Sequence, residues 1–391
     1  MKFMGIGAIT TACLLFGAPI DSARAAAPED VLTSAVDKIV AAVMTRDEIP
    51  GLVVGITTGG RHLVFNYGVA TLSARQPITD STLFEIGSLS KTFTATLASW
   101  AEIRGHLSLS DPTAKYLLSL QGTGFGRVSL LDLGTHTPGG LPLQVPDSVA
   151  KNEQLITYFR EWRPTYPPGT YRTYANSSIG LLGLIAAQSM HRDFIGLEQD
   201  RLFPALGLSS TYIDVPAPKL ADYAQGYAQN GEPVRLKPRV LFAEAYGVKT
   251  TARDLLRFLD ANMGLVKLRK DLQRAVVATH TGYFKAGVLT QDLIWEQYPY
   301  PVSLKTLVEG NSAKMILNPT PVSPITPPLP PQDDVLIDKT GSTDGFGAYA
   351  AFIPARRIGV VVLANKNYPL EDRVSLAYDI LALLDVSDIR N

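Results

Sequence analysis

Residues 84–93 read Phe84-Glu85-Ile86-Gly87-Ser88-Leu89-Ser90-Lys91-Thr92-Phe93. The stretch contains S-x-x-K, and Thr92 to Ala101 continue it with helical character. Residues three apart share a helix face, so Ser88 and Lys91 stand side by side, hydroxyl within reach of amine. The helix N-terminus adds backbone N–H groups and a positive dipole end where an oxyanion would form. Serine needs such help, because its hydroxyl is a poor nucleophile at neutral pH. S-x-x-K alone is weak, expected about once by chance in a chain of this size. A second copy, Ser148-Val149-Ala150-Lys151, follows Pro146-Asp147 without a strand–turn–helix context and reads as a solvated loop or helix start.

Strand signals lie at both ends of the chain. Leu52 to Thr57 and His62 to Tyr67 are β-rich runs joined across Gly59-Gly60, a hairpin pattern. Tyr349 to Pro354 and Ile358 to Asn365 repeat it across Ala355-Arg356-Arg357. Apolar residues at helical spacing from Pro28 to Val43 and from about Arg373 to Leu384 predict terminal amphipathic helices. The middle carries helical periodicity, as in Ile179 to Ser189 and Thr251 to Met263. The expected fold is α/β (α+β): one antiparallel sheet flanked by the N- and C-terminal helices, with a helical second domain beside it. Segments 26–104 and 240–391 are assigned to the sheet domain and 105–239 to the helical one, with the site between them. The proline-rich run Asn318 to Pro331 reads as an ordered surface loop leading into a strand rather than a polyproline ligand.

The 391 residues are 46% hydrophobic, enough for a large core, and carry 36 basic and 36 acidic side chains. That balance argues against a nucleic-acid binder. Lys2, the apolar stretch Phe3 to Ala18 and Ala23-Arg24-Ala25 read as an export signal over residues 1–25, cleaved after Ala25. The only cysteine, Cys13, lies inside it, so the mature chain has no disulfide and no thiol nucleophile. The mature chain is expected to be an unanchored monomer in the periplasm. The five histidines form neither H-x-H nor H-E-x-x-H, which argues against a metal site, and no cofactor motif is present. The same sparseness weakens a Ser-His-Asp triad, and there is no G-x-S-x-G elbow. Gly122 to Gly126 has the wrong glycine spacing for a dinucleotide and reads as a turn.

Two motifs single out Ser88. Tyr174-Ala175-Asn176 is the only Y-x-N and Lys339-Thr340-Gly341 the only K-T-G, in the order S-x-x-K, Y-x-N, K-T-G. K-T-G follows Val335-Leu336-Ile337, a plausible strand whose edge could present Lys339 and Thr340 to a carboxylate. S-x-x-K with S-D-N and K-T-G marks serine acyl-enzymes that open lactams; here tyrosine replaces the serine of the middle motif. Glu161 is followed four residues on by Thr165, so no E-x-x-x-N supplies a deacylating glutamate and another base is needed. A tyrosine serves only if cations stabilise its phenolate, and Lys91 and Lys339 are available. The rival base is a neutral Lys91.

With these residues in hand the chain resembles the class C serine β-lactamases, the periplasmic cephalosporinases of the β-lactamase and penicillin-binding-protein superfamily. The likeness runs through F-E-I-G-S-L-S-K-T-F, T-P-G-G-L-P-L-Q, Y-A-N-S-S-I-G-L, A-E-A-Y-G-V-K, K-T-G-S-T-D-G-F-G and L-A-N-K-N-Y-P. It implies a β-lactam-hydrolysing enzyme that confers resistance, with small-molecule lactams as partners and no cofactor. Ser88 would be the acylated nucleophile, Lys91 its amine neighbour and Tyr174 the base or proton shuttle. Lys339, with Thr340, Gly341 and Arg373, would belong to the carboxylate side. Gln144 and Asn176 would contact the amide side chain, Tyr246 would line its pocket, and the Ser88 and Ser342 backbone N–H groups would form the oxyanion hole.

Three positions depart from the resemblance: Asp338 before K-T-G, Leu370 where relatives often have asparagine, and the Lys237-Pro238-Arg239-Val240-Leu241-Phe242 run. They bear on substrate range, not on the reaction. Asp338 could raise the Lys339 pKa, although adjacent strand residues face opposite ways. The rival activities are a D-alanyl-D-alanine peptidase or penicillin-binding protein, an esterase, and a non-catalytic lactam sensor.

Overall fold

The strand pairs at the two ends of the chain meet in space. Gly51–Thr58 pairs antiparallel with Ile358–Ala364, Leu52 opposite Ala364 and Thr58 opposite Ile358. Each also pairs with its hairpin partner, Arg61–Thr71 and Gly347–Ile353. This computed structural model describes residues 28–388. The expected signal segment and Cys13 lie outside the described residues.

Among the described residues the main sheet has eleven strands, all paired antiparallel. Beyond Gly347–Ile353 it continues through Val335–Ser342, Glu296–Pro299, Leu289–Gln291 and Gly282–Ala286 to Thr320–Leu329 and Tyr171–Arg172. Strand alternation sorts the side chains between two layers. Leu52, Val54, Ile56, Val360 and Val362 pack with Val36 and Val40 of the N-terminal helix and Leu376 and Ile380 of the C-terminal one. Val53, Val361 and Leu363 face the other way, against Phe93, Leu97, Leu255 and Leu259.

The helix Ser90–Ile103 belongs to two cores at once. Its residues from Ser90 to Ala101 are all buried, and the Thr92, Thr94, Thr96 and Ser99 hydroxyls donate to backbone carbonyls. Phe93, Leu97 and Trp100 enter the sheet-side core. Ala95, Ala98 and Ala101 meet Leu133, Phe159, Ile179 and Leu182 in a third cluster built mainly by helices. A site at the start of this helix is therefore held by both layers.

The run Asn318 to Pro331 corrects an expectation. It is not a loop: Thr320–Leu329 is a strand paired with Gly282–Ala286. Pro321, Pro324, Pro327 and Pro328 are all exposed within it. Past Val322, whose N–H donates to the Thr170 carbonyl, no described strand pairs on the outer side, so a missing N–H there breaks no ladder bond.

Candidate active site

Ser88 sits on the single 3₁₀ turn Gly87–Leu89, which runs straight into Ser90–Ile103. Gly87 holds φ at +51°, a left-handed conformation that glycine adopts without a Cβ penalty. A side chain there would also strike the Ser342 carbonyl, at 2.4 Å. From the other side, a Cβ on Gly341 would come within 1.9 Å of the Ile86 oxygen. The K-T-G strand thus lies backbone to backbone against the Ser88 turn, and the two glycines permit the approach. This sets the Ser88 and Ser342 backbones side by side. Lys339 to Ser342 lie beyond the end of pairing with Glu296–Pro299, so that edge of the strand is open.

Lys91 is fully buried and donates to Ser88 Oγ at 2.8 Å and to the Ala245 carbonyl at 2.8 Å. Burial, opposed by Tyr174 and reinforced by Lys339, pushes its ammonium down to about 8. The Tyr174 ring has the Lys91 and Lys339 Nζ atoms each 5.2 Å from its centroid and the Arg172 guanidinium at 5.4 Å. Burial pushes the phenol up, but Lys339, Lys91 and a hydrogen bond with Ser88 outweigh it and bring it below its ordinary value. The His136 ring lies tilted against the same ring, with centroids 4.4 Å apart and planes at 42°. Burial, then Arg172, holds that imidazole well below its usual range and so neutral.

Glu296 holds the cations in place. Its Oε1 accepts from Arg172 at 2.5 Å and lies 3.7 Å from Lys339 Nζ. Burial works to lower the Lys339 ammonium, and Glu296, followed by Tyr174, overrides it and raises it. Asp338 contributes least of the named charges. It faces the other side of the strand, accepting from Asn311 Nδ2 and from the Tyr349 hydroxyl, each at 2.7 Å. Burial, then Glu296, lifts its carboxyl to about 7.

A cavity of about 420 Å³ opens over Ser88 and is lined by Gln144, Asn176, Tyr246, Ser342, Thr343 and Asn367 together with Leu236, Lys237, Arg239 and Asp344. Of the anticipated residues, Ser88, Gln144, Asn176, Tyr246 and Ser342 are brought together on its walls. Lys91, Tyr174 and Lys339 form the buried layer next to them, and Thr340 and Gly341 continue the strand. Arg373 is not brought to the cavity. It is 1% exposed and donates to the Gly341 carbonyl at 2.8 Å, Ser342 Oγ at 2.7 Å, Asn367 Oδ1 at 2.6 Å and the Tyr368 carbonyl. With these donors committed, it braces the K-T-G strand and aims Asn367. The second S-x-x-K is solvated: Ser148, Ala150 and Lys151 are exposed, and Lys151 precedes the helix Asn152–Glu161.

Sequence reasoning missed Arg172, Glu296 and Asn367. The available signals were charges in buried surroundings: Arg172 two residues before Tyr174, and Glu296 between Trp295 and Tyr298.

A family model described as Beta-lactamase matches residues 36–385. A beta-lactamase of Lysobacter lactamgenus is 50% identical over 370 residues, 94% of this chain and 96% of that one. One of Pseudomonas fluorescens is 50% identical over 350 residues, 90% and 98% of the two chains. Among solved structures, D-alanine carboxypeptidase AmpC from Burkholderia cenocepacia superposes with a TM-score of 0.87 at 54% identity, covering 90% of this chain and 99% of that one. A class C beta-lactamase in complex with cefoxitin superposes with 0.89 at 48% identity, with the same coverage.

Proposed function

Since the chain belongs to the beta-lactamase family, we propose that it hydrolyses β-lactams, cephalosporins above all, through an acyl-enzyme on Ser88. The reaction is that of a class C serine β-lactamase. The observation that carries the assignment is the 2.8 Å Lys91–Ser88 contact beside a phenol set between two ammonium groups.

Tyr174, as phenolate, takes the Ser88 proton while Oγ attacks the lactam carbonyl. Lys91 and Lys339 stabilise that phenolate, and the Ser88 and Ser342 N–H groups receive the oxyanion. The ring C–N bond breaks, and the nitrogen leaves with the proton held by Tyr174. Water, deprotonated at the same oxygen, then cleaves the ester and restores Ser88. Gln144, Asn176 and Tyr246 receive the amide side chain. The ring carboxylate belongs at the Ser342–Thr343 end, beside Asn367, with Lys339 behind it.

The test is steady-state hydrolysis of a chromogenic cephalosporin together with intact-mass measurement. Turnover with a transient Ser88 adduct is expected, and Ser88→Ala abolishes both. Full activity in Ser88→Ala would overturn the mechanism. A long-lived adduct without turnover would instead favour the carboxypeptidase reading, the activity named for the Burkholderia neighbour.

The mature enzyme is further proposed to act as an unanchored monomer in the periplasm. The Ala23-Arg24-Ala25 site supports export, and no described helix is long and apolar enough to cross a membrane. Cell fractionation and size-exclusion chromatography check both points.

A further inference from the structure

The Ser88 cavity has a charged wall that the reaction does not use. Its charged lining residues are Lys237, Arg239 and Asp344, two cations against one carboxylate. Arg239 lies at the side-chain end: its charge acts on the Tyr246 phenol, lowering it against the larger upward push of burial. Gln144 borders the same end, where the Asn176 N–H donates to the Leu143 carbonyl at 2.8 Å.

Neither cation is held by a buried partner. Lys237 has no hydrogen-bond or ion-pair partner among the described residues. Arg239 Nη1 meets Asp147 Oδ1 at 2.9 Å, with the two side chains 57% and 84% exposed. Such a pair is held weakly in water, so a ligand carboxylate can replace Asp147 on the guanidinium fork. Gln144 and Arg239 also border a second cavity of about 920 Å³, which Lys151 and Arg192 line as well. Of its own carboxylates, Asp193 caps the Gly196 N–H, burial raises Glu244 to about 7, and Asp147 is the one that competes with a ligand for Arg239. Gln144 and Arg239, common to both linings, therefore mark where a long acyl group would pass from one space to the other.

We propose that Arg239, assisted by Lys237, selects β-lactams whose acylamino side chain ends in a carboxylate. This rests on the β-lactamase reading above and names its substrate class.

The test uses the purified enzyme and two cephalosporins of equal length, one with a glutaryl side chain and one with the corresponding terminal carboxamide. The carboxylate compound is expected to have the higher kcat/KM by about tenfold, the order of a charge-assisted hydrogen bond. Arg239→Gln brings the ratio toward one, and Lys237→Gln lowers it less. Asp147→Asn raises it by removing the competing carboxylate, a direction that loss of structure would not produce. Salt at about 0.5 M lowers the ratio by screening. A wild-type ratio near one, or a ratio unmoved by both Arg239→Gln and Asp147→Asn while both compounds turn over, would overturn the inference. Absence of turnover and of any Ser88 adduct with either compound would overturn the underlying reading and this one with it.

Discussion

Two buried clusters of charge sit close together in this molecule, one around Tyr174 and one around Glu198. Around Tyr174 the fold gathers Lys91, Lys339 and Arg172 and sets Glu296 against them. The phenol, which burial alone would raise, is brought below its ordinary value. Around Glu198 the neighbour is a second carboxylate, Glu244. Both Glu198 oxygens are buried and lack a hydrogen-bond partner among the described residues. Burial, then Glu244, pushes this carboxyl well above its usual range. Both acids are buried, burial raises both, and yet they move in opposite directions. At Glu198 the partner adds to burial, and at Tyr174 the partner cations outweigh it and reverse the sign.

The comparison can be broken in four places. The largest effect is expected from Tyr174→Phe, which removes the proton carrier and keeps the ring between its cations. The kcat/KM should fall by about 10²- to 10⁴-fold, with an unchanged circular dichroism spectrum. Near-normal turnover would shift the base to Lys91.

Next comes Glu296→Gln. It leaves Arg172 buried without its ion-pair partner, a change that costs about 3–5 kcal/mol. Chemical denaturation should show this as a lower midpoint at unchanged slope. A loss under about 1 kcal/mol would mean that Gln291 and the Met315 carbonyl, the other acceptors of Arg172, suffice.

Lys339→Met tests the sign directly. Without that cation the Tyr174 phenol rises, less phenolate remains at neutral pH, and turnover falls by about 10- to 100-fold. The deficit should narrow as pH rises, since alkali restores the phenolate. A pH-independent deficit would mean that Lys339 acts only in binding.

The smallest effect belongs to Glu198→Gln. The folded-state pKa of Glu198 lies above its unfolded value of 4.5. The folded chain therefore keeps a proton that the unfolded chain gives up, and stability is lost as pH rises above that value. Removing the titration should leave stability at pH 4 little changed and raise it by about 1 kcal/mol at pH 8. Thermal melts across this range read the difference. Glu244, raised from 4.5 to about 7, works the same way between those values.

How far the sequence could be read depended on the range of the interaction. Ser88 and Lys91 are three residues apart, so their contact follows from helical geometry, and the terminal hairpins announced the antiparallel sheet. The proline-rich run misled, because whether a missing N–H matters depends on a neighbouring strand. Thr320–Leu329 could be recognised only once its outer side was seen to be unpaired. Arg373 was legible as important but not in its role. Only the packed structure turns its guanidinium onto Gly341, Ser342 and Asn367.

By itself, then, the sequence determined the contact of Ser88 with Lys91, the order of the three motifs and the strand-rich ends that close into one sheet. These are local spacings, fixed by backbone geometry. The tertiary structure alone decided how the buried charges are shared. Glu296 steadies Lys339 while Asp338, adjacent in the chain, faces Tyr349 and Asn311 across the strand. Burial removes water's screening, so the ionisation of a group such as Tyr174 is set by whichever charges the fold brings within a few ångströms. Those charges come from residues 91, 296 and 339, which are distant in sequence and adjacent only after folding.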